Sequence, residues 1–129
     1  MSKAAVKSQK APQAIGPYSQ AIKAGGFIFL SGQIPIDPAT GTLIQGGVAP
    51  ETRQVLRNLE AVLKDAGASL DDVVKTTVYL KDISKFSEMN NVYAEFFREP
   101  YPARATVEVR DLPKGAQVEI DAVAVAEVV

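Results

Sequence analysis

Residues 104–123 read RATVEVRDLPKGAQVEIDAV, with two runs of alternating apolar and polar residues on either side of a loop that contains proline and glycine. Side chains alternate between the two faces of a β-strand, so this pattern predicts two consecutive strands. The apolar faces are Ala105, Val107 and Val109 in the first strand, and Val118, Ile120 and Ala122 in the second. Residues 111–116 predict a hairpin-like loop between the two strands.

The polar faces of these strands carry the first candidates for chemistry. They are Arg104, Thr106 and Glu108 on one strand, and Gln117, Glu119 and Asp121 on the other. A guanidinium group matches a planar carboxylate with two parallel hydrogen bonds. A carboxylate near it can move protons or hold a water molecule. Arg104 and Glu119 therefore indicate a site that acts on a small organic acid.

Upstream of these strands, the chain predicts further strands separated by loops. Residues 19–23 and 27–33 flank two consecutive glycines, which is typical of a hairpin. Residues 35–47 are rich in proline and glycine and predict a loop, with a short strand at residues 42–44. Residues 73–81 are rich in valine and threonine and predict another strand.

Two amphipathic helices are predicted on either side of that strand. Pro50 suits the first turn of a helix and Gly67 suits its end, and apolar residues recur between them at helical spacing. Ser84 is placed to cap a second helix, with an apolar stripe over residues 86–97 that we interpret as core. Pro100 prevents this helix from continuing.

The order of these elements predicts an α+β fold, in one domain over residues 1–129, with two helices on one face of a sheet. Two helices cover only one face of a single sheet, so the opposite face is left uncovered. That face would expose Phe27, Phe29, Thr77, Tyr79 and Thr106. Because a half-apolar open face favours self-association, we expect a homo-oligomer. A monomer with a solvated sheet face is the alternative.

Composition restricts the possible function. The chain has 14 basic and 15 acidic residues, which argues against a protein that mainly wraps nucleic acid. No apolar stretch approaches the roughly 20 residues that span a bilayer, and the first ten residues lack the apolar core of a secretory signal. We therefore expect no membrane partner and a cytoplasmic location, although a very short targeting arm is compatible with the sequence.

The missing residue types are as informative, since the chain contains no Cys, no His and no Trp. Their absence excludes disulfides, a thiolate nucleophile, a Ser-His-Asp triad and a zinc deaminase with His and Cys ligands. The acidic residues show no spacing typical of calcium or magnesium ligands. The chemistry must then be fairly easy, or it must use a metal bound through carboxylates.

Four segments, taken in order, resemble the reactive intermediate deaminase A (RidA) family of the Rid superfamily. They are residues 15–21 (IGPYSQA), residues 31–35 (SGQIP), residues 102–104 (PAR) with 107–109 (VEV), and residues 112–115 (LPKG) with 118–120 (VEI). The resemblance implies a fold like that of the Bacillus chorismate mutase, with a mixed sheet backed by two helices. It also implies a homotrimer with clefts between subunits, and no cofactor or metal.

The resemblance implies hydrolysis of reactive enamines and imines, such as 2-aminoacrylate, 2-iminopropanoate and 2-iminobutanoate, to 2-oxo acids and ammonia. Arg104 would clamp the substrate carboxylate, and Glu119 would orient the attacking water and return a proton to the departing amine. The substrate contacts would come from Tyr18, Ser31, Gly32, Asn90 and Thr106. Many members carry a cysteine where Thr106 stands, so a role for a thiol is not expected in this chain.

Each assignment has a structural alternative. Arg104 could instead form an ion pair with Glu108 or be a solvated charge at the end of the strand. Glu119 could be a charge at the edge of the sheet that faces solvent or pairs with a lysine. Tyr18 could be a packing residue, Ser31 a hydroxyl at the end of a strand, Gly32 a bulge glycine and Asn90 an amide on a helix surface. Lys114 is interpreted as a surface charge. At the level of the whole protein, the alternatives are an endoribonuclease or translation inhibitor, and a non-catalytic metabolite-binding or chaperone-like trimer.

Overall fold

The computed structural model describes residues 2–126 of the chain. Eight strands and two helices follow one another. The strands are β1 (Ala4–Val6), β2 (Ala21–Ala24), β3 (Phe27–Gln33), β4 (Ile36–Asp37), β5 (Thr42–Leu43), β6 (Val73–Leu80), β7 (Ala103–Glu108) and β8 (Val118–Val125). The helices are α1 (Val48–Asp65) and α2 (Phe86–Phe96). Among the described residues, no helix is long and apolar enough to cross a membrane.

Six strands form one mixed sheet in the order β1-β2-β3-β8-β6-β7, while β4 and β5 form a separate pair. β6 and β7 are parallel, and the other neighbours are antiparallel. The predicted hairpin-like connection between β7 and β8 is therefore wrong, because β6 lies between these strands. The α2 crossover returns β7 parallel to β6 at the sheet edge, and β8 pairs with the other side of β6.

The two helices lie against one face of the large sheet and enclose the core. The apolar stripe of α1 is fully buried, and it consists of Val55, Leu56, Leu59, Val62 and Leu63. It belongs to one buried cluster with residues of the central strands, including Val78, Leu80, Val118 and Ile120. Burying one such side chain contributes about 1.5–3 kcal/mol, so this layer contributes most of the stabilisation of the fold.

The helix ends differ in detail from the prediction. α1 begins at Val48, two residues before Pro50, and it ends before Gly67, whose φ of 83° suits glycine. Ser84 does not cap α2. Its backbone N–H instead donates 2.9 Å to Oδ1 of Asp82, which caps a short 3₁₀ turn ahead of α2. A carboxylate is a good acceptor at such a position, and the extra turn delays the start of the helix to Phe86.

The opposite face of the sheet is open, as its composition predicts. Phe27 and Phe29 are 43% and 47% exposed, and Thr77 and Tyr79 are half-buried beside them. Thr106 does not belong to this face. It is the register partner of Val78, a fully buried residue beneath the helices, and partners in a parallel pair point to the same face. The β6–β7 pairing that decides this orientation joins strands separated by a helix, so strand alternation alone cannot reveal it.

Candidate active site

A cavity of about 850 Å³ brings together four of the predicted site residues. We call them the glutamate group, and they are Tyr18, Ser31, Gly32 and Glu119. The walls come from the segment that precedes β2, from the end of β3 and from the loop between β7 and β8. Lys114 of this loop also borders the cavity, and it is exposed, as a surface charge would be.

Gly32 and Glu119 are in intimate contact across neighbouring strands. The register between β3 and β8 shifts between Leu30 and Gln33, so the strand bulges at Ser31 and Gly32. A Cβ atom added to Gly32 would lie 2.9 Å from Cδ of Glu119, which is closer than real contacts allow. Glycine at this bulge therefore leaves the space that the Glu119 carboxylate occupies, and a larger residue would displace that side chain.

Glu119 is half-buried in this cavity, and its pKa is raised from the ordinary value of a glutamate. The main cause is desolvation, because burial disfavours the charged carboxylate. The negative charge of Asp121 adds to the effect. Glu119 thus keeps its proton to a higher pH than a solvated glutamate, which suits a group that exchanges protons with a reacting molecule.

The cavity wall before β2, which we call the strap (residues 8–18), is held by one buried amide. Gln20 accepts a hydrogen bond of 2.6 Å from the N–H of Ser8 at Oε1. Its Nε2 donates to the carbonyl oxygens of Ser8 (3.1 Å) and Pro12 (2.8 Å). The Ser31 hydroxyl donates 2.6 Å to the carbonyl of Ser19, just after the strap. Sequence reasoning missed Gln20 as a structural residue, although it lies in the IGPYSQA segment.

Arg104 lies elsewhere, on the edge strand β7, where aromatic rings support its guanidinium. Its Cζ is 4.7 Å from the ring centroid of Tyr93 and 5.4 Å from that of Phe86, both on α2. The Tyr93 hydroxyl shares a 2.8 Å hydrogen bond with the buried Oγ1 of Thr76. Stacking on a ring face leaves the in-plane N–H groups of arginine free to bind a carboxylate.

Glu108, the alternative partner predicted for Arg104, is hydrogen-bonded to another residue. Within residues 2–126 no salt bridge includes Arg104, and Oε1 of Glu108 instead accepts 2.9 Å from the N–H of Ile83. Phe86 is 37% exposed, so it is not the fully buried core residue that its helical spacing predicts. The ring borders the edge strand β7, where the guanidinium of Arg104 lies.

Thr106 and Asn90 lie on the same side of the protein as Arg104, and we call these three the arginine group. Thr106 follows Arg104 by two residues, so both side chains leave the same face of β7. Its Oγ1 is buried and has no hydrogen-bond partner among the described residues. Asn90 is four residues after Phe86 and three before Tyr93, which places it on the ring-bearing side of α2.

The two groups lie on opposite faces of the sheet. Arg104 pairs with Thr76 of β6, and Glu119 pairs with Tyr79 of the same strand. Thr76 and Tyr79 are three residues apart, so their side chains, and those of their partners, point in opposite directions. β7 and β8 are also two strand spacings, about 10 Å, apart. Within one protomer, the residues of the arginine group lie near one another, and so do those of the glutamate group. The two groups themselves are separated.

The site residues do not offer a metal centre. Across residues 2–126, no three acidic side chains are grouped closely enough to hold a metal ion. The glutamate group contains a single carboxylate, whereas oxygen-binding cations such as calcium and magnesium prefer several oxygen ligands. The arrangement is instead suited to binding a small anion at Arg104 and to proton transfer at Glu119.

Comparisons with known proteins identify the family and the fold. A family model described as "Endoribonuclease L-PSP" matches residues 8–126. A RutC family protein of Pyrococcus horikoshii is 56% identical over 125 residues, which are 97% of this chain and 99% of that protein. The human protein named 2-iminobutanoate/2-iminopropanoate deaminase is 49% identical over 120 residues, 93% of this chain and 88% of its own.

A solved structure of a Rid-family protein from Yersinia pestis superposes with a TM-score of 0.95 at 48% identity, covering 97% of this chain and 100% of that one. This likeness confirms the predicted α+β architecture with two helices on a mixed sheet, the chorismate-mutase-like fold of Rid proteins. The four sequence segments, the sheet order and these matches lead to one assignment. The chain belongs to the endoribonuclease L-PSP family, which includes the RidA proteins.

Proposed function

We propose that this protein is a hydrolytic deaminase of small 2-enamino and 2-imino acids, such as 2-aminoacrylate, 2-iminopropanoate and 2-iminobutanoate. The products are 2-oxo acids and ammonia. The observation that carries the proposal is the half-buried Glu119, whose carboxylate lies against Gly32 in a large cavity and whose pKa is raised. The 49% identity to the human protein named as such a deaminase supports it.

The proposal includes an assembly, because a single chain separates Arg104 from Glu119. We propose a homotrimer in which the arginine group of one subunit faces the glutamate group of its neighbour across an inter-subunit cleft. Two features support this assembly. β7 is an edge strand that carries Arg104 to the border of the sheet, and the open face presents exposed Phe27 and Phe29 for burial.

In this site Arg104 binds the substrate carboxylate through two in-plane hydrogen bonds, which fixes the position of the imine carbon. An enamine first tautomerises to the imine. Water then adds to the C=N carbon while the nitrogen takes up a proton, and the tetrahedral amino alcohol loses ammonia as its C–N bond breaks. Glu119 supplies a proton to the nitrogen and recovers one from the added water, so the carboxyl group is regenerated in each turnover.

The remaining residues of the two groups bind and orient. The buried Thr106 hydroxyl lacks a hydrogen-bond partner among residues 2–126, and in the proposed site it bonds to the substrate carboxylate or to a water molecule. Tyr18 contributes a hydroxyl from the strap, Ser31 keeps acceptor capacity at its oxygen, and Asn90 adds an amide. Gly32 leaves main-chain space for the substrate next to Glu119. The proposed reaction uses no metal and no cofactor.

The proposal is tested by following pyruvate release when the protein is mixed with a serine dehydratase, which supplies 2-aminoacrylate. We expect release to exceed the spontaneous rate. Arg104→Lys keeps the charge and loses the planar fork, so kcat/KM should fall by about 10²-fold or more while the oligomer persists. Arg98→Lys is the matched control, because Arg98 is exposed and paired with Asp71 away from the cavity. Equal turnover by all three proteins would exclude Arg104 from the site.

An endoribonuclease is the second candidate, because the family description names that activity. The absence of histidine and the net charge of −1 do not favour it. A ribonuclease assay on highly purified wild type and on Arg104→Lys distinguishes the two functions. RNA cleavage that depends on Arg104, without imine turnover, would replace the deaminase. Tight binding of 2-oxo acids without any turnover would instead identify a non-catalytic metabolite-binding or chaperone-like trimer.

A further inference from the structure

A second carboxylate lies beside Glu119 on the open face of β8. Asp121 is two residues further along the strand, so its side chain leaves the same face. The register places Tyr79 of β6 opposite Glu119. The Tyr79 hydroxyl donates a 3.0 Å hydrogen bond to Oδ2 of Asp121. The residue that faces Glu119 across the strands therefore also fixes the position of Asp121.

The electrostatics of this trio agree with the contacts. After burial, the charge of Asp121 is the other cause that raises the pKa of Glu119. Burial and the hydrogen bond to Asp121 also raise the pKa of the Tyr79 phenol, so Tyr79 stays a neutral donor. Two neighbouring carboxylates do not ionise independently, because the first negative charge disfavours the second. The charge of Asp121 therefore favours the protonated form of Glu119.

The other ionisable groups around Glu119 do not replace Asp121 as the neighbouring acidic group on the open face of β8. β3 contributes none, since its sequence is FIFLSGQ. On β6, Lys81 is paired with Asp111 at 3.6 Å, and Lys75 lies at the level of Val123, beyond Asp121. Tyr18 of the strap and Lys114 of the β7–β8 connection complete the set, and both line the cavity. Asp121 is the acidic group that shares the open face of β8 with Glu119.

We propose that Asp121, anchored by Tyr79, is a positioning residue whose fixed negative charge keeps a proton on Glu119 so that Glu119 delivers it to the nitrogen of the reacting imine. This inference rests on the proposed deaminase. Asp121 itself donates no proton and touches no substrate. When the imine nitrogen takes the proton, Glu119 becomes a carboxylate beside Asp121, and this repulsion favours the return of a proton from the added water.

The dependence of kcat on pH tests this inference, because a purely structural role of Asp121 would not shift the pH profile. Asp121→Asn removes the charge, keeps the shape and can still accept the Tyr79 hydrogen bond, whereas Asp121→Glu keeps the charge. Asp65→Asn, at the exposed end of α1, removes one negative charge far from the site. Each variant is compared with wild type for pyruvate release over the spontaneous rate, with excess dehydratase at every pH, and for oligomeric state.

In wild type, kcat should decrease as the pH rises and Glu119 loses its proton. In Asp121→Asn this decrease should begin at a lower pH, so the ratio of its rate to the wild-type rate should fall as the pH rises. Asp121→Glu and Asp65→Asn should keep the wild-type profile. Superimposable profiles for Asp121→Asn and wild type would overturn the inference, as would an equal shift in Asp65→Asn. If Asp121→Asn does not assemble, Tyr79→Phe replaces it, since loss of the anchor should move the profile in the same direction and an unmoved profile overturns the inference.

A different result would refute the proposed deaminase function than would refute the role of Asp121. Wild-type turnover by Glu119→Gln would refute the role of Glu119 itself. Loss of turnover in Glu119→Gln, with an unchanged profile in Asp121→Asn, would keep the deaminase and reject only the role of Asp121.

Discussion

Arg104 and Glu119 leave opposite faces of one sheet, because their register partners Thr76 and Tyr79 are three residues apart on β6. Each residue nevertheless has the surroundings of a reactive group. The guanidinium of Arg104 is stacked on Tyr93, and the carboxylate of Glu119 is half-buried against Gly32. Under the proposed function, these two groups meet across a cleft between subunits rather than within one folded chain.

Gly32→Ala should impair turnover more than stability. The added methyl group would meet the end of the Glu119 side chain, which can rotate away without any movement of the strands but then leaves its position in the cavity. We expect a loss of about tenfold or more in kcat, measured by pyruvate release, because displacement of a catalytic group by a fraction of an ångström is costly. Gly16→Ala is the control, since its methyl group would make an ordinary 3.6 Å contact with Tyr18. Equal rates for the two variants would contradict the role assigned to Gly32.

Gln20→Leu should release the strap from the rest of the protein. The substitution removes three hydrogen bonds to main-chain groups of Ser8 and Pro12, each contributing roughly 1 kcal/mol. We expect urea denaturation to show a loss of about 2–3 kcal/mol, and KM to rise because Tyr18 is no longer held in the cavity wall. Gln54→Leu removes a hydrogen bond within α1, to Asn58, and should leave KM unchanged. A wild-type KM in Gln20→Leu would show that the strap does not shape the binding site.

The ring of Tyr93 should contribute to holding the Arg104 guanidinium in place. Tyr93→Phe keeps the ring and loses the bond to Thr76, whereas Tyr93→Leu removes the ring face. A cation–π contact contributes roughly 0.5–2 kcal/mol, so Tyr93→Leu should weaken 2-oxo acid binding about 3- to 30-fold relative to Tyr93→Phe. Isothermal titration calorimetry with pyruvate measures this difference. Equal affinities for both variants would mean that the ring does not hold the guanidinium.

Glu51 should make the stability of the protein decrease as the pH rises. This glutamate of α1 is 6% exposed and accepts a hydrogen bond of 2.8 Å from the N–H of Gln117, and burial raises its pKa above the ordinary value of a glutamate. A carboxyl group with a raised folded-state pKa binds more protons in the native state. Stability is therefore lost as the pH rises from the unfolded pKa through the folded one.

Glu51→Gln keeps an acceptor for Gln117 and cannot ionise, so the difference isolates this titration. Urea denaturation of both proteins across this pH range should show the wild type losing stability relative to Glu51→Gln as the pH increases. Parallel curves of unfolding free energy against pH for the two proteins would contradict a raised pKa for the Glu51 carboxyl group.

Much of the fold is predictable from local patterns. The buried stripe of α1, the strand at residues 73–80 and the open face with Phe27 and Phe29 follow from periodicity alone. The position of β8 between β3 and β6 does not, because it depends on long-range pairing, and local alternation contains no information about which strands meet. Because the sequence does not show that β7 pairs with β6, it also predicts the wrong face of the sheet for Thr106.

The sequence indicates candidate residues for the site, and it does not indicate their arrangement. Sequence reasoning selected Arg104 and Glu119 from their chemistry and their strand positions. It could not show that β6 separates their strands, nor that Phe86 and Tyr93 form the surface on which Arg104 stacks. Gln20 and Asp121 act through hydrogen bonds to main chain and to Tyr79, and such contacts become visible only after the strands have been placed.

Complementation between inactive chains is the most direct test of a site shared by two subunits. Arg104→Ala and Glu119→Gln are purified separately, unfolded together in equal amounts, refolded and assayed for pyruvate release. Random assembly would place an intact Arg104 opposite an intact Glu119 in about one quarter of the sites of a cyclic oligomer, so about one quarter of the wild-type activity should return. Mixed oligomers that form but stay as inactive as each parent would show that both residues must belong to the same chain.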